Sequence, residues 1–312
     1  MTSTLEGFAE GLVDFAEKNR EVVLLHTDTA ASCGVSIFEE KFPERSFNCG
    51  VSEQDMILTA AGLSLTGKIP FACSRAASMA PRAFDQIRAS LSIPGLSAVL
   101  AGTFSGLSAG EDGASQQMNQ DIAIMRSLPQ MTVLVPADAS SAFSMVSLGA
   151  LNQGPVYIRL GSEKVEAVEA MAGSEMKIGG GRLLREGDGV TICACGIMVH
   201  EALKAADILF RQGINAEVLD CFSLKPLPAP LILASLRRTG CCVTAEEHNE
   251  VGGLGEAVSA LCAKKNPVPV RSVAIGDKYG QSGKPPELQE YYGLTFREIV
   301  GEAAQVWSMR RR

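Results

Sequence analysis

The chain has 312 residues, of which 46% are hydrophobic and 20% charged. This composition is typical of a folded globular protein and excludes a disordered, collagen-like or coiled-coil chain. A net charge of −7 argues against nucleic acid or an anionic membrane as the main partner, because both bind cationic surfaces. The length predicts about two domains.

The sequence predicts neither a membrane span nor a secretion signal. The longest stretch without charge, residues 89–110, contains Pro94 and four glycines, so it indicates a strand and glycine loops inside a globular domain. The acidic N-terminus lacks the basic region of a signal peptide. The nine cysteines are odd in number and form no CxxC pair. This pattern favours reduced thiols, a cytoplasmic location and no metal site within the chain.

The first half of the chain alternates between helical spacing of apolar residues and short continuous apolar runs. Helices are predicted over residues 5–18, 56–65 and 139–152. Strands are predicted over residues 21–27, 96–103, 131–135 and 156–160. Strands separated by helix-length segments indicate βαβ units and a parallel sheet covered on both faces.

A second region of the same kind follows an aperiodic segment that ends in three glycines. Its predicted strands cover residues 190–194, 216–219, 241–244 and 270–275, and its predicted helices cover residues 199–212, 255–263 and 297–307. We therefore predict an α/β fold with two domains, each a largely parallel sheet flanked by helices. The predicted boundaries are 1–165 for the first domain, 166–181 for the linker and 182–312 for the second domain.

Three segments carry polar groups where a sheet ends. In the first, NCGVSEQ at residues 48–54, Glu53 opens an apolar helix. A buried carboxyl group there would be held protonated and ready to donate a hydrogen bond. A solvated acid at a helix N-terminus is the alternative interpretation.

The second segment, GTFSGLSAGEDGASQQ at residues 102–117, follows a predicted buried strand. Ligand crevices of α/β sheets form at that edge, and its glycines allow the backbone to approach a ligand closely. A solvated turn is the alternative. The third segment, AEEHNEVGGLG at residues 245–255, is a poor dinucleotide fingerprint, and close packing of a helix on a strand explains its glycines better.

Together these segments resemble transketolase. NCGVSEQDM resembles the family's pyrimidine-domain segment around its glutamate, and GEDGASQQ resembles the family's GEDGPTHQ or GEDGPSQ loop. RSLPQMTVLVPAD resembles the stretch after that loop, and AEEHNEVGGLG resembles a loop of the C-terminal domain. The order and spacing match over nearly the whole chain. The resemblance implies a pyrimidine-binding domain followed by a transketolase C-terminal domain, as in the C-terminal subunit of a split, two-chain transketolase.

The resemblance also implies a partner subunit. The family's diphosphate-binding domain carries a GDG motif that holds Mg²⁺ and the diphosphate of thiamine diphosphate. The GDG at residues 187–189 lies between two strand-like runs, and we interpret it as a hairpin turn. We expect an N-terminal subunit that holds Mg²⁺ and an α₂β₂ assembly around a large apolar interface. The isolated chain is expected to form a homodimer without bound cofactor.

The resemblance assigns catalytic roles to residues that match the family. Glu53 matches the glutamate that bonds the aminopyrimidine ring nitrogen of thiamine diphosphate, and Val51 lies beside it in the same motif. Gln116 stands at a position, His or Gln in the family, near a substrate oxygen. Asp112 matches a ligand of a substrate hydroxyl. The implied reaction transfers a two-carbon ketol unit from a ketose donor to an aldehyde acceptor.

Other positions depart from the family pattern. Arg75 and Ser78 stand at two positions where the family has aromatic residues that clamp the pyrimidine, and Arg75 could stack on the ring, bind an acidic substrate group or form a salt bridge. Phe104 stands where the family has a phosphate-binding histidine. Ser32 and Arg159 match two other phosphate contacts. Because charge-assisted bonds are lost, we expect an unusual sugar or sugar-derived substrate: unphosphorylated, differently charged or partly apolar.

Two alternatives stay open at this point. The chain could be the β subunit of a 2-oxo-acid dehydrogenase or oxidoreductase, which shares the fold and the glutamate. It could also be a non-catalytic subunit that stabilises a partner, as the missing aromatic clamp suggests.

Overall fold

The computed structural model describes residues 1–28, 33–171 and 176–310. The strands up to residue 165 are β1 (Thr2–Ser3), β2 (Val22–His26), β3 (Ser46–Asn48), β4 (Ile69–Arg75), β5 (Val99–Thr103), β6 (Thr132–Leu134), β7 (Val156–Arg159) and β8 (Lys164–Val165). The helices of this part are α1 (Thr4–Lys18), α2 (Ser36–Lys41), α3 (Glu53–Leu65), α4 (Ala76–Arg82), α5 (Phe84–Gln86), α6 (Asp121–Ser127) and α7 (Ala139–Ala150). Short 3₁₀ turns cover Pro43–Arg45 and Gly110–Asp112, and a π-helical turn covers Ile87–Ser92.

The C-terminal part repeats the alternation of strands and helices. Its strands are β9 (Arg182–Arg185), β10 (Val190–Ala194), β11 (Ala216–Asp220), β12 (Ser223–Lys225), β13 (Cys242–Asn249) and β14 (Val270–Ile275). Its helices are α8 (Met198–Arg211), α9 (Ala229–Thr239), α10 (Leu254–Lys265), α11 (Pro285–Tyr291) and α12 (Phe296–Met309).

The first sheet has seven strands in the order β12-β6-β7-β5-β4-β2-β3. All neighbours are parallel except β12, which joins the edge antiparallel to β6 from the second half of the chain. Continuous apolar runs form the central strands because helices cover both faces of a parallel sheet. The second sheet has the order β14-β13-β10-β11-β9, and only β9 is antiparallel to its neighbour. The α/β fold class predicted from the sequence is confirmed.

Local signals explain where two of the helices begin. At α1, the Ser3 side chain accepts a hydrogen bond from the Glu6 backbone, and the Glu6 side chain accepts one from the Ser3 backbone. Asp138 and Ser141 form the same reciprocal pair at α7. Each pair satisfies backbone N–H groups that the first helical turn would leave without partners. Helices α1 and α7 then pack together, and the close approach uses Gly7, whose missing Cβ would lie 2.2 Å from the Ala139 carbonyl oxygen.

The hairpin predicted around residues 187–189 is wrong. Strand β9 pairs with β11, and β10 lies between β11 and β13, so β9 and β10 are not neighbours. The turn itself exists, and the N–H groups of Asp188 and Gly189 donate to the Asn215 carbonyl. Gly187 packs directly on the backbone of Ala216, where a Cβ would clash at 2.3 Å. The GDG therefore serves strand packing in the second sheet.

Within the ranges given above, no helix combines the length and the apolar character needed to cross a bilayer.

Candidate active site

The carboxylate of Glu53 lies at the edge of the first sheet where β2, β4 and β5 end. A tight turn leads into its helix: the Asn48 side chain accepts a hydrogen bond from the Gly50 N–H at 2.8 Å, and Gly50 has a φ of +66°. That conformation favours glycine, and the asparagine stabilises it locally. The turn brings Glu53 to the first position of α3, three residues before the start that the apolar pattern alone predicted.

Glu53 is buried, with 5% of its surface exposed. The Ser74 hydroxyl at the end of β4 donates to Oε1 at 3.3 Å, and Nη1 of Arg82 lies 3.7 Å from Oε2. A cavity of about 300 Å³ opens beside this carboxylate and is lined by Val51, Ser52, Glu53, Gln54 and Arg82. The acid is therefore sheltered and still has open space next to it.

Arg82 is a site residue that the sequence analysis missed. It is the last residue of α4, and its carbonyl accepts a hydrogen bond from the Gln54 side chain at 3.1 Å, which ties α4 to α3. The signal in the sequence that could have identified Arg82 is its place at the end of the helical segment that follows Arg75. Among the described residues that line the Glu53 cavity, Arg82 is present whereas Arg75 and Ser78 are not.

Arg75 and Phe104, the two residues that depart most from the family pattern, are in contact. Arg75, at the end of β4, donates from Nη1 to Oδ2 of Asp112 at 2.7 Å. Its Cζ lies 4.8 Å from the ring centroid of Phe104, which follows β5. The three residues form one cluster at the carboxyl edge of the first sheet, where ligands bind in open α/β sheets.

The GEDG loop is held in place by the C-terminal part of the chain. Asp112 ends the 3₁₀ turn, and Gln116 is half-buried four residues later. The Gln117 side chain donates to the carbonyls of Gly110 and Gln281, both at 2.9 Å. A cavity of about 690 Å³ lies between this loop, α4 and the segment 277–279. Gln117, which the sequence analysis noted only as part of a polar cluster, thus anchors the loop.

Arg159 lies in a buried network between the two parts of the chain. Its Nε donates to both carboxylate oxygens of Asp121, at 3.0 and 3.1 Å, and its Nη2 donates to the Glu247 carbonyl at 2.8 Å. Its Nη1 lies 3.6 Å from the Glu247 carboxylate. Tyr157 donates to Asp121 at 2.9 Å. Burial opposes the charge of Arg159, but Asp121 and Glu247 hold the pKa of its guanidinium above the ordinary value.

Burial shifts the pKa values of several side chains around this network. Burial, with nearby Glu163 as the second cause, raises the pKa of Glu247, and Arg159 opposes that shift. Burial raises the pKa of Glu246 to about 7, although the N–H groups of Leu254 and Gly255 donate to this carboxylate at 2.7 and 2.8 Å. Burial lowers the pKa of His248 to about 4.

The glycines after these acids serve close packing, as predicted. A Cβ on Gly253 would lie 2.0 Å from the Glu246 carboxylate, and one on Gly255 would lie 2.7 Å from the Ser272 hydroxyl. Ser32, predicted to contact a substrate phosphate, falls outside the described residues. In the described ranges no group of three or more His, Cys, Asp or Glu side chains is placed to hold a metal ion, and no disulfide joins the cysteines.

Comparison with known proteins decides the family. The model of the transketolase pyrimidine binding domain matches residues 1–166, and that of the transketolase C-terminal domain matches residues 179–299. The chain belongs to the transketolase family. This transketolase chain superimposes on a solved split-gene transketolase, described as an inactive β4 tetramer, with a TM-score of 0.93, 43% identity and 100% coverage of both chains.

Two curated relatives are named as transketolase subunits. The 6-deoxy-6-sulfo-D-fructose transketolase subunit SqwH of Clostridium sp. is 38% identical over 299 residues, covering 96% of this chain and 92% of that protein. One subunit of the apulose-4-phosphate transketolase of Phocaeicola vulgatus is 32% identical over 305 residues, covering 98% and 97%. The chain is thus the C-terminal subunit of a two-chain transketolase, a transferase of a thiamine-diphosphate-dependent family. The dehydrogenase and non-catalytic alternatives are not favoured.

Proposed function

We propose that this subunit supplies the pyrimidine-binding half of a thiamine diphosphate site, and that an N-terminal subunit supplies the diphosphate half. The observation that carries the proposal is the buried carboxylate of Glu53 beside an open cavity. No described donor lies within hydrogen-bond distance of Oε2 of Glu53. The cation that pairs with this oxygen is Arg82, whose Nη1 lies 3.7 Å away. An oxygen of a sheltered carboxyl group that has unused acceptor capacity and faces open space is suited to an N–H group from a ligand.

The residues at this cavity fit an aminopyrimidine. Glu53 can hold a proton at the ring nitrogen, Ser74 keeps the carboxylate oriented, and Val51 offers an apolar contact at the rim. When bound, thiamine diphosphate supplies the electron sink that carries the two-carbon unit between sugars. Asp112 accepts a hydrogen bond from a substrate hydroxyl, and the Gln116 amide donates to a substrate oxygen. Arg75 and Ser78 do not line this cavity, and a contact of Ser78 with the cofactor stays a prediction.

The proposed substrate is a sugar or sugar-derived compound that this subunit does not recognise through the family's usual phosphate ligands. Phe104 places an apolar ring at the position where the family has a phosphate-binding histidine. The N–H groups of Arg159 donate to Asp121 and to the Glu247 carbonyl. A substrate contact by Arg159 or Ser32 stays a prediction. The relatives named for 6-deoxy-6-sulfo-D-fructose and apulose 4-phosphate support a wide substrate range for such subunits. Assay of the subunit pair with xylulose 5-phosphate and ribose 5-phosphate tests this: ordinary turnover would contradict it.

An exposed apolar surface around the Glu53 cavity supports the proposed partner. Leu58 and Leu65 are seven residues apart on α3, so they share its outer face, and Phe47 and Val51 extend the surface. Such a surface marks a protein interface. We propose that the N-terminal subunit covers it, holds Mg²⁺ and completes an α₂β₂ enzyme in the cytoplasm. The inactive β4 form of the related structure supports self-association of the isolated chain.

Replacement of Glu53 by Gln tests the proposal. The subunit pair, prepared by co-expression with the product of the neighbouring gene, is assayed for ketol transfer, and cofactor binding is measured by calorimetry. Glu53→Gln keeps the size of the side chain but removes its basicity, so we expect activity to fall at least a hundredfold. Thermal denaturation of the isolated variant should stay close to that of the wild type.

Glu10→Gln is the matched control, because it is the same exchange at an exposed position of α1. It should leave transfer and cofactor binding unchanged. Full activity of the Glu53→Gln pair would show that Glu53 does not activate the cofactor. Decarboxylation with acyl transfer instead of ketose exchange would contradict the assigned reaction.

A further inference from the structure

The contacts of Arg75 place it beside the substrate acid and away from the lining of the cofactor cavity. Strands β4 and β5 are parallel neighbours, and Arg75 stands opposite Thr103 in their register. Arg75 and Phe104 therefore leave the sheet side by side. The loop that follows β5 then returns Asp112 to the same point, where it meets the guanidinium at 2.7 Å.

We infer that Arg75 is a positioning residue that fixes the Asp112 carboxylate for a substrate hydroxyl. This inference rests on the proposed function. The Arg75 side chain is 22% exposed and that of Asp112 is 50% exposed, so the arginine is the more sheltered member of the pair. The ring of Phe104 supports the guanidinium, 4.8 Å from its centroid. Stacking holds the planar group on one side while its N–H groups stay available for a carboxylate.

The backbone of Phe104 supports this assignment independently. Phe104 has a φ of +52°, in the left-handed region that a residue with a Cβ rarely adopts. Gly102 precedes it by two residues and lies against the Tyr157 hydroxyl, where a Cβ would clash at 2.1 Å. The end of β5 is thus held in an unfavourable conformation that brings an aromatic ring under Arg75. Such conformations are concentrated at functional sites.

The loop and the side chain of Asp112 are fixed by separate contacts. Gln117 holds the loop through the Gly110 carbonyl, and Arg75 holds the carboxylate through Oδ2. In the described part of the chain, no hydrogen bond to Oδ1 of Asp112 is present, so this oxygen can accept one from a substrate. Loss of Arg75 should leave the loop in place but let the carboxylate rotate.

The test compares two acceptors with the reconstituted pair and its bound cofactor. Glyceraldehyde carries a hydroxyl next to the aldehyde, whereas 3-hydroxypropanal is its 2-deoxy analogue. The donor is a ketose that the wild-type pair converts. Arg75→Gln should lower kcat/KM for glyceraldehyde about tenfold and change that for the deoxy analogue less than about twofold, so that discrimination collapses. Asp112→Asn should show the same loss, and the double variant should add little to it, as expected for residues acting as one unit.

Controls separate this role from the others. Arg75→Lys keeps the charge but not the planar fork, and should restore part of the discrimination. Arg88→Gln, which removes an exposed arginine paired with Asp85 at 2.9 Å, should leave both acceptors unchanged. Equal losses for both acceptors, or weaker thiamine diphosphate binding by Arg75→Gln, would overturn the inference in favour of a cofactor contact. A selective change between glyceraldehyde and its 3-phosphate would overturn it in favour of direct anion binding.

A crystal structure of the isolated Arg75→Gln chain gives a readout that does not depend on activity. The Asp112 carboxylate should move or become disordered while the Gly110 and Gln117 contacts remain. An unchanged carboxylate would contradict the inference even in an active enzyme. If instead the wild-type pair transfers no ketol unit while the crystal shows the expected displacement, the proposed function fails and the positioning contact stands.

Discussion

Two polar regions of this subunit use similar side chains in opposite ways. At the carboxyl edge of the first sheet, Glu53 and Asp112 each have a carboxylate oxygen that no described residue satisfies. Between the two parts of the chain, the donors of Arg159 are distributed over Asp121 and Glu247, and the network is nearly inaccessible to solvent. The first region has hydrogen-bonding capacity left for a ligand, whereas the second uses its capacity to join the domains.

The comparison shows why a motif does not by itself assign a role. Arg159 matches a family position for a phosphate ligand, yet its surroundings are those of a structural ion pair. Arg75 stands where the family has an aromatic residue of the pyrimidine clamp, yet it pairs with Asp112, the acid for which we propose a substrate contact. Free hydrogen-bonding capacity and exposure therefore distinguish binding residues from structural ones better than residue type does.

The largest expected effect comes from breaking the interdomain network. Arg159→Ala would leave the Asp121 carboxylate buried without its cation and the Glu247 backbone carbonyl without the Arg159 donor, and we expect it to lower the free energy of unfolding by about 3–5 kcal/mol. Urea denaturation of the isolated chain at fixed protein concentration measures this. Arg297→Ala is the control, because Arg297 pairs with Glu290 at 2.6 Å with both side chains 63% exposed, and should cost about 0–1 kcal/mol. Equal costs would remove the distinction between the buried and the exposed pair.

Two glycines, one in each region, test the same difference between the Arg159 network and the edge of the first sheet. Gly106 and Gly50 both have a φ of +66°. A Cβ on Gly106 would lie 2.2 Å from the Glu247 carboxylate and 2.9 Å from Nη2 of Arg159, whereas one on Gly50 has no atom within 4 Å. Gly50→Ala should therefore cost only the backbone conformation, about 1–2 kcal/mol.

Gly106→Ala should cost about 1–3 kcal/mol more, since it also overpacks the network. The two variants are compared by urea denaturation under the same conditions. A Gly106→Ala variant as stable as Gly50→Ala would mean that the Arg159 network rearranges around the added methyl group at little cost, which would contradict the close packing inferred for it.

The sequence predicted features that depend on neighbouring residues. The apolar runs of β2, β5 and β7 identified a parallel sheet, and the NCGVSEQ turn identified Glu53 as the acid that opens a helix at its edge. Strand β4 was not predicted, because Pro70 and small residues conceal a central strand. The hairpin at residues 187–189 was wrongly predicted because strand pairing is decided by contacts far along the chain.

Contacts across the fold explain the other differences. The partners of Arg159 lie 38 and 88 residues away, and no local pattern shows that they occupy its donors. The contact of Arg75 with Phe104 depends on the register of β4 against β5 and on the unusual φ of Phe104. Arg82 was missed because the positions compared with the family's aromatic clamp, Arg75 and Ser78, both precede it. Residue types at the edge were therefore predictable, but their pairing was not.

The smallest expected effect is a change in the pH dependence of stability. Burial raises the pKa of Glu247 from 4.5 to about 8, so the folded chain keeps a proton that the unfolded chain releases above pH 4.5. The contribution of Glu247 to the free energy of unfolding is fully present below pH 4.5 and is lost as the pH rises towards 8. His248 acts in the opposite sense: because its pKa is lowered from 6.5 to about 4, its effect raises stability between pH 4 and 6.5 and is constant above that.

Between pH 6.5 and 8 the Glu247 effect is therefore separated from that of His248. Glu247→Gln removes the titration and keeps an acceptor for the Leu107 N–H, which donates to Glu247 at 3.2 Å. The free energy of unfolding should fall less over this interval in the variant than in the wild type, by about 1–2 kcal/mol. Glu250→Gln, the same exchange at an exposed position three residues later, should keep the wild-type slope. If Glu247→Gln also kept the full slope, the carboxyl group would be ionised in the folded chain, and the interdomain network would carry one more negative charge than we infer.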